Sequence, residues 1–96
     1  MRLHCYSADI NATAFDDLRA SLEAGDCVLL TGPAVALARP GHPRSDALVD
    51  APATVFALSE DLELYGVNDT DARIARVDYA GWLELALRMR SQVAWY

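Results

Sequence analysis

Two short runs of the chain are apolar at almost every position. They span residues 27–30 and 54–58, and residues 3–6 and 74–78 are two further strand candidates. Strands that lack polar alternation are typical of a parallel sheet whose two faces are both covered by helices. We therefore expect residues 27–30 and 54–58 to form core strands. Arg76 indicates that the last candidate lies at an edge or has a half-exposed face.

Between the first two strand candidates, apolar residues recur at the spacing of an α-helix. Phe15, Leu18 and Leu22 predict a first helix over residues 14–24. Thr13 is in position to cap the N-terminus of that helix with its hydroxyl group.

The rest of the chain continues this alternation of strands and helices. Further helices are expected over residues 34–38, 59–66 and 79–90, whereas the Pro and Gly residues at 39–46 favour a loop. Strands that alternate with helices indicate βαβ units. The sequence thus predicts an α/β fold, a three-layer α/β/α sandwich with a mainly parallel sheet, in a single domain over residues 1–96.

The last predicted helix carries more apolar residues than one buried stripe needs. One stripe consists of Tyr79, Trp82, Ala86 and Met89, and a second stripe beside it consists of Leu83 and Leu87. A surface helix requires only one apolar stripe to face the core. The second stripe therefore needs either deeper burial or contact with a neighbouring subunit.

The chain then ends on two aromatic residues, Trp95 and Tyr96. Protein interfaces draw much of their energy from a few aromatic side chains. We therefore expect a partner-binding surface that consists of Leu83, Leu87, Trp95 and Tyr96. The alternative is an intramolecular role in which the tail folds back as a short extra strand.

The charge of the chain restricts its partners. The formal net charge is −6, with eight Arg, no Lys and no basic run. Direct binding to nucleic acid and binding to anionic membranes are therefore not expected. No segment is long and apolar enough for a membrane span, and we do not expect the start of the chain to act as a signal peptide. We expect a cytoplasmic protein with reduced cysteines.

Few residues form patterns that indicate chemistry. The glycine pattern of a nucleotide-binding loop is missing, and neither His4 nor His42 has the spacing of a metal ligand. We expect His4 to be hydrogen-bonded in or beside the sheet and His42 to be exposed in a loop. The acidic cluster of Glu60, Asp61 and Glu63 fits the favourable N-terminus of a helix better than an active site. No cofactor and no metal are expected.

The two cysteines raise the main chemical question. Cys5 and Cys27 both fall on predicted strands beside apolar residues, too far apart for a CxxC motif. A sulfur carrier needs an accessible thiol of lowered pKa, and the carboxylate of Asp26 would raise the pKa of its neighbour. We therefore expect both cysteines to serve as small apolar residues.

The chain resembles the TusB/DsrH family of sulfur-relay subunits over nearly its whole length. The resemblance is carried, in order, by Leu3-His4, by Glu23-Ala24-Gly25-Asp26 before Val28-Leu29-Leu30, by Ala51-Pro52 before Val55-Phe56-Ala57-Leu58, by Glu60-Asp61-Leu62 with Gly66, by Val77-Asp78-Tyr79, and by Ser91-Gln92-Val93-Ala94-Trp95. Each motif alone is weak, but their common order makes the match specific.

The resemblance implies a DsrE-like fold and a hetero-oligomer with TusC-like and TusD-like subunits. Such complexes pass persulfide sulfur towards 2-thiolation of the wobble uridine in certain tRNAs, and the related Dsr system works in sulfur oxidation. A subunit of this relay can take part in tRNA modification without binding tRNA itself. Self-association through the same surface is an alternative for the chain alone.

The chain departs from the family pattern at two places, of which the first bears on catalysis and the second on the shape of a loop. DsrH-type members carry a reactive cysteine in the first helix, and an ungapped alignment from Gly25 places Leu18 at that position. The pair Gly32-Pro33 also replaces the usual Asp-Gly after the second strand. We therefore expect a non-catalytic, TusB-like subunit. The alternatives are a DsrH-like persulfide sulfurtransferase that uses Cys5 or Cys27, and a general interaction domain without a sulfur role.

Overall fold

The computed structural model describes residues 1–7 and 12–95. Within them the elements follow in the order β1 (Arg2–Tyr6), α1 (Ala12–Ser21), β2 (Cys27–Leu30), a 3₁₀ helix (Gly32–Ala38), α2 (Pro43–Val49), β3 (Thr54–Leu58), α3 (Ser59–Leu64), β4 (Ala75–Val77), α4 (Tyr79–Arg88) and β5 (Ser91–Trp95).

The five strands form one sheet in the order β4-β3-β2-β1-β5, and all neighbouring strands are parallel. The central strand β2 is buried at all four positions. Leu29 in β2 pairs with Cys5 on one side and with Phe56 on the other. The prediction that residues 27–30 and 54–58 form core strands of a parallel sheet is confirmed.

Helices cover both faces of the sheet, and each face has its own apolar core. On the face that we call the helix-rich face, α1, the 3₁₀ helix, α2 and α3 bury side chains that include Phe15, Leu18, Leu30, Leu48 and Leu62. On the opposite face, which we call the α4 face, Leu3, Cys27, Leu29, Leu58 and Leu85 form a smaller core. The three-layer α/β/α arrangement expected from the sequence is confirmed.

Three predictions on the first 38 residues were wrong in detail. Helix α1 begins at Ala12, so Thr13 lies inside it and is not its N-cap, and α1 ends at Ser21 instead of residue 24. The helix expected over residues 34–38 is a 3₁₀ helix that already begins at Gly32. It starts earlier because Pro33 fits the first turn of a helix, where a missing N–H costs nothing.

The loop expected at residues 39–46 is also a helix from Pro43 onwards. Proline is compatible with the first position of α2, and His42 caps that helix because its Nδ1 accepts a hydrogen bond from the Arg44 amide at 3.1 Å. His42 is half-buried, not exposed as expected. The hydroxyl of Ser45 donates to the carbonyl of Leu37 and ties α2 to the 3₁₀ helix.

Gly66 ends α3 as the sequence predicted. The Val67 amide donates to the Leu62 carbonyl at 2.8 Å and the Gly66 amide donates to the Glu63 carbonyl at 3.2 Å. These two bonds form a Schellman motif, which requires a left-handed residue, and Gly66 has φ 71°. Buried Val67 and Leu62 supply the apolar pair that accompanies this motif.

The tail of the chain forms strand β5 at one edge of the sheet. Its register with β1 runs from Arg2 opposite Ser91 to Tyr6 opposite Trp95, and the Ser7 amide donates to the Trp95 carbonyl at 3.0 Å. The tail therefore forms the short extra strand that the sequence analysis left open as an alternative.

Candidate partner-binding surface

Helix α4 presents one side to the sheet and leaves the other uncovered. Asp78 caps its N-terminus by accepting from the Gly81 amide at 2.8 Å. Leu85 is 3% exposed, and Trp82, Ala86 and Met89 pack beside it. Leu83 and Leu87 point away from the sheet and are 61% and 77% exposed. Both residues therefore lie where the sequence placed them.

Tyr79 belongs to the outer side of α4, not to the buried stripe in which the sequence analysis placed it. Its side chain is 57% exposed, and its ring stacks on that of Trp82 at 6.3 Å between centroids. Tyr79, Leu83 and Leu87 are spaced by four residues and form one exposed apolar stripe, which we call the α4 stripe. The four-residue spacing was a signal in the sequence that could have identified Tyr79.

Trp95 lies on the other face of the sheet. It pairs in register with Tyr6 and packs, half-buried, against the core of the helix-rich face. Tyr96 lies outside the described residues. The structure thus places the three described residues of the predicted surface, Leu83, Leu87 and Trp95, in two separate positions. The α4 stripe and Trp95 are on opposite faces, with the edge of β5 between them.

Trp95 is held by a buried polar network that begins at His4. The His4 ring is fully buried, and the indole N–H of Trp95 donates to its Nδ1 at 3.2 Å. An indole nitrogen is a donor only, so this Nδ1 must carry a lone pair. The proton of the neutral ring therefore lies on Nε2, which is 3.0 Å from a carboxylate oxygen of Asp26 and donates to it.

Among the described residues, no Lys or Arg side chain forms an ion pair with the buried carboxylate of Asp26. Its Oδ1 accepts from the Arg2 amide at 2.9 Å, and its Oδ2 accepts from the Glu23 amide at 3.1 Å as well as from His4. Burial acts to raise the pKa of Asp26, but the hydrogen bonds from Arg2, His4 and Glu23 together outweigh burial and lower that pKa. The expectation of a hydrogen-bonded His4 is confirmed.

Both thiols lie in the α4 face and neither is activated. Cys27 is 8% exposed, and burial raises its pKa, with Arg88 acting to lower it and Asp26 to raise it further. Cys5 is half-buried, and burial raises its pKa although a hydrogen bond with Trp82 acts in the opposite direction. The expected effect of Asp26 on Cys27 is present, but burial is the larger cause.

The position aligned with the family's reactive cysteine is not accessible. Leu18 is fully buried in the core of the helix-rich face. A side chain there packs against the sheet and does not meet a partner at the surface.

Two of the three acidic residues of α3 accept hydrogen bonds from backbone amides. An oxygen of Asp61 accepts from the Gly32 amide at 2.7 Å, and one of Glu60 accepts from the Tyr79 amide at 3.4 Å. Glu63 is exposed.

In the part of the chain that the structure describes, no group of three or more His, Cys, Asp or Glu side chains could hold a metal ion. None of the helices described combines the length and hydropathy that a bilayer crossing requires.

The fold and this surface define a class of protein: a parallel α/β domain with an exposed apolar stripe on α4 and a half-buried tryptophan on the edge strand β5. A family model described as DsrH like protein matches residues 8–92, and the chain belongs to this family. Proteins TusB of Salmonella enteritidis and Salmonella typhimurium are each 34% identical to it over 93 residues, which cover 96% of this chain and 94% of each relative.

Proposed function

We propose that the protein is a non-catalytic subunit of a cytoplasmic TusBCD-like sulfur-relay complex. In this role it helps pass persulfide sulfur towards 2-thiolation of the wobble uridine in tRNA. Membership of the DsrH-like family and the likeness to proteins named TusB support the relay. The observation that carries the non-catalytic role is the state of the thiols: the chain has two cysteines, both in strands beneath α4, and both have a raised pKa.

The partners in this proposal are TusC-like and TusD-like subunits in a hetero-oligomer. The α4 stripe offers three exposed apolar side chains in a row, and Trp95 offers an aromatic side chain beside an edge strand. A subunit that covered the α4 stripe would remove from water apolar area that the chain itself cannot bury. The two patches are suited to two different contacts because they lie on opposite faces. Neither RNA nor a membrane is a direct partner in this proposal.

The test is complex formation with TusC-like and TusD-like subunits from the same organism after co-expression. We expect Leu83→Asp and Trp95→Ala each to weaken the complex by roughly thirty-fold or more, because the loss of one well-buried anchor residue at an interface can cost about 2–4 kcal/mol. Glu84→Ala, on the exposed polar side of the same helix, is the control and leaves the affinity unchanged.

Circular dichroism and thermal unfolding must show that each variant remains folded. If both variants are folded and bind as tightly as the wild type, the partner surface lies elsewhere. The loop and helix start at residues 39–46 would then be examined next.

The second candidate function is a DsrH-like persulfide sulfurtransferase in sulfur oxidation. One observation favours it: Cys5 is only half-buried, and its hydrogen bond with Trp82 acts to lower the thiol pKa. Burial outweighs this bond in the isolated chain, so we rank this function below the non-catalytic role.

A further inference from the structure

Trp95 lies at the end of a chain of side-chain hydrogen bonds from Asp26 through His4. The pairing of β5 with β1 does not require these bonds. The proposed function makes Trp95 part of a partner surface, and the present inference rests on that function. We propose that His4 and Asp26 are positioning residues, which fix the Trp95 indole in one orientation as a preorganised anchor for a partner subunit.

The backbone of β5 is already held without the side chains. All five of its residues pair with β1, and the Trp95 carbonyl accepts from the Ser7 amide. A backbone ladder fixes φ and ψ but leaves the side-chain torsions of an edge residue free to change. The hydrogen bond to His4 acts on these torsions, since it specifies where the indole nitrogen must lie.

The His4 ring is itself fixed in one orientation. A flipped or otherwise protonated ring would place an N–H opposite the Trp95 N–H, or would leave Asp26 without its donor. Asp26 cannot follow the ring, because the amides of Arg2 and Glu23 hold its two oxygens. The backbone amides thus hold the Asp26 carboxylate in place, the carboxylate orients the His4 imidazole, and the imidazole orients the Trp95 indole. The rings of His4 and Trp95 also stack, with 6.3 Å between centroids and 23° between planes.

Preorganisation is what an aromatic anchor needs. Trp95 is half-buried, so part of its ring faces the core and part remains open to solvent beside the uncovered edge of the sheet. An aromatic side chain ordered before binding loses less conformational freedom when a partner covers it. Fully buried His4 and nearly buried Asp26 cannot touch the partner, so they act through Trp95.

The first measurement uses the chain alone and does not depend on any partner. Nitrogen-15 NMR of the imidazole is expected to show neutral His4 with its proton on Nε2 near neutral pH. The indole N–H of Trp95 is expected to exchange slowly with solvent, and a Trp82→Phe variant assigns the two indole signals. A proton on Nδ1, or a Trp95 N–H that exchanges as fast as free indole, overturns the inference.

The second measurement is a double-mutant cycle on the affinity for TusC-like and TusD-like subunits. His4→Gln is expected to weaken binding by roughly three- to ten-fold, the worth of about one hydrogen bond. In the Trp95→Phe background, which has no indole N–H to position, the same substitution should change nothing. Asp26→Asn, in both backgrounds, is the second variant in case His4→Gln fails to fold.

Three outcomes of the binding measurements overturn the inference, and they are distinguishable from one another. An equal loss of affinity in both backgrounds means that His4 acts on stability alone. Normal binding by Trp95→Ala, with Leu83→Asp still disruptive, removes the anchor but leaves the proposed function standing. A wild-type chain that binds neither subunit overturns the proposed function and takes this inference with it.

Discussion

At the scale of single residues, Asp26 links stability to pH. Its pKa in the folded chain lies below the ordinary value, so the unfolded chain binds the proton more tightly. The stabilisation is therefore present above the ordinary carboxyl pKa and is lost as pH falls through the lowered pKa of the folded state. Denaturant unfolding between about pH 7 and about pH 3 should show this loss.

Asp26→Asn is expected to lower the unfolding free energy near neutral pH by about 1–3 kcal/mol, because an amide nitrogen would face donors that now bind a carboxylate. The variant should also lose less stability on acidification than the wild type. Asp16→Asn, which removes the same charge from an exposed position on α1, is the control. An identical pH dependence in wild type and Asp26→Asn would contradict this account.

The thiols give a second expectation at this scale. Incubation with a cysteine desulfurase and cysteine, followed by mass spectrometry, should leave Cys5 and Cys27 without stoichiometric persulfide. The reason is that burial disfavours the thiolate, which is the reactive form. Cys5→Ala and Cys27→Ala assign any modification. A transferable persulfide on either residue would favour the sulfurtransferase alternative.

The sequence predicted that His4 is hydrogen-bonded, but it did not predict which residues are its partners. Its partners Asp26 and Trp95 lie 22 and 91 residues away along the chain. Their contact depends on β1 lying between β2 and β5, an order that local pattern does not contain. The position of Leu83 and Leu87 together on one side of α4, in contrast, could be predicted from helical spacing alone.

At the scale of elements, helix α4 combines a buried and an exposed apolar side within ten residues. Leu85→Ala should lower the unfolding free energy by about 2–4 kcal/mol, because it leaves a cavity against the sheet. Leu87→Ala on the same helix is the matched variant, and its effect should stay within about 0.5 kcal/mol, since its side chain is 77% exposed. Denaturant unfolding of the isolated chain compares the two. Similar losses would mean that α4 is not oriented as described.

The sequence analysis placed two helix starts wrongly because it misjudged which residue caps each helix. Residues 39–46 have a loop-like composition, yet Pro43 is compatible with a first helical turn, and His42 supplies a cap that is less usual than Ser or Asp. Thr13 looked like a cap, but α1 already includes it. The end of α3, in contrast, could be predicted from Gly66, because few other residues adopt its left-handed backbone.

At the scale of the whole molecule, the negative net charge disfavours direct contact with tRNA, the substrate class of the proposed relay. With a net charge of −6 and scattered Arg residues, the chain should not shift tRNA in a gel at physiological salt. A basic protein of similar size is the positive control. Tight, salt-sensitive binding of tRNA by the chain alone would contradict the proposed place of this subunit in the relay.

The parallel sheet was predictable because two runs without polar alternation require cover on both faces. The position of β5 was not, since a tail of five residues fits an extra strand or a partner contact equally well. Its pairing with β1 brings Trp95 to His4, a contact between residues far apart in the sequence that local pattern does not contain.

The position of β1 between β2 and β5 has a consequence for synthesis. β1 leaves the ribosome first, but one of its two neighbours, β5, follows only after every other strand. Until then the nascent chain exposes a row of unpaired amides and carbonyls along β1, and such edges invite wrong pairing. A partner or chaperone that bound this edge during translation would cover it until β5 arrives.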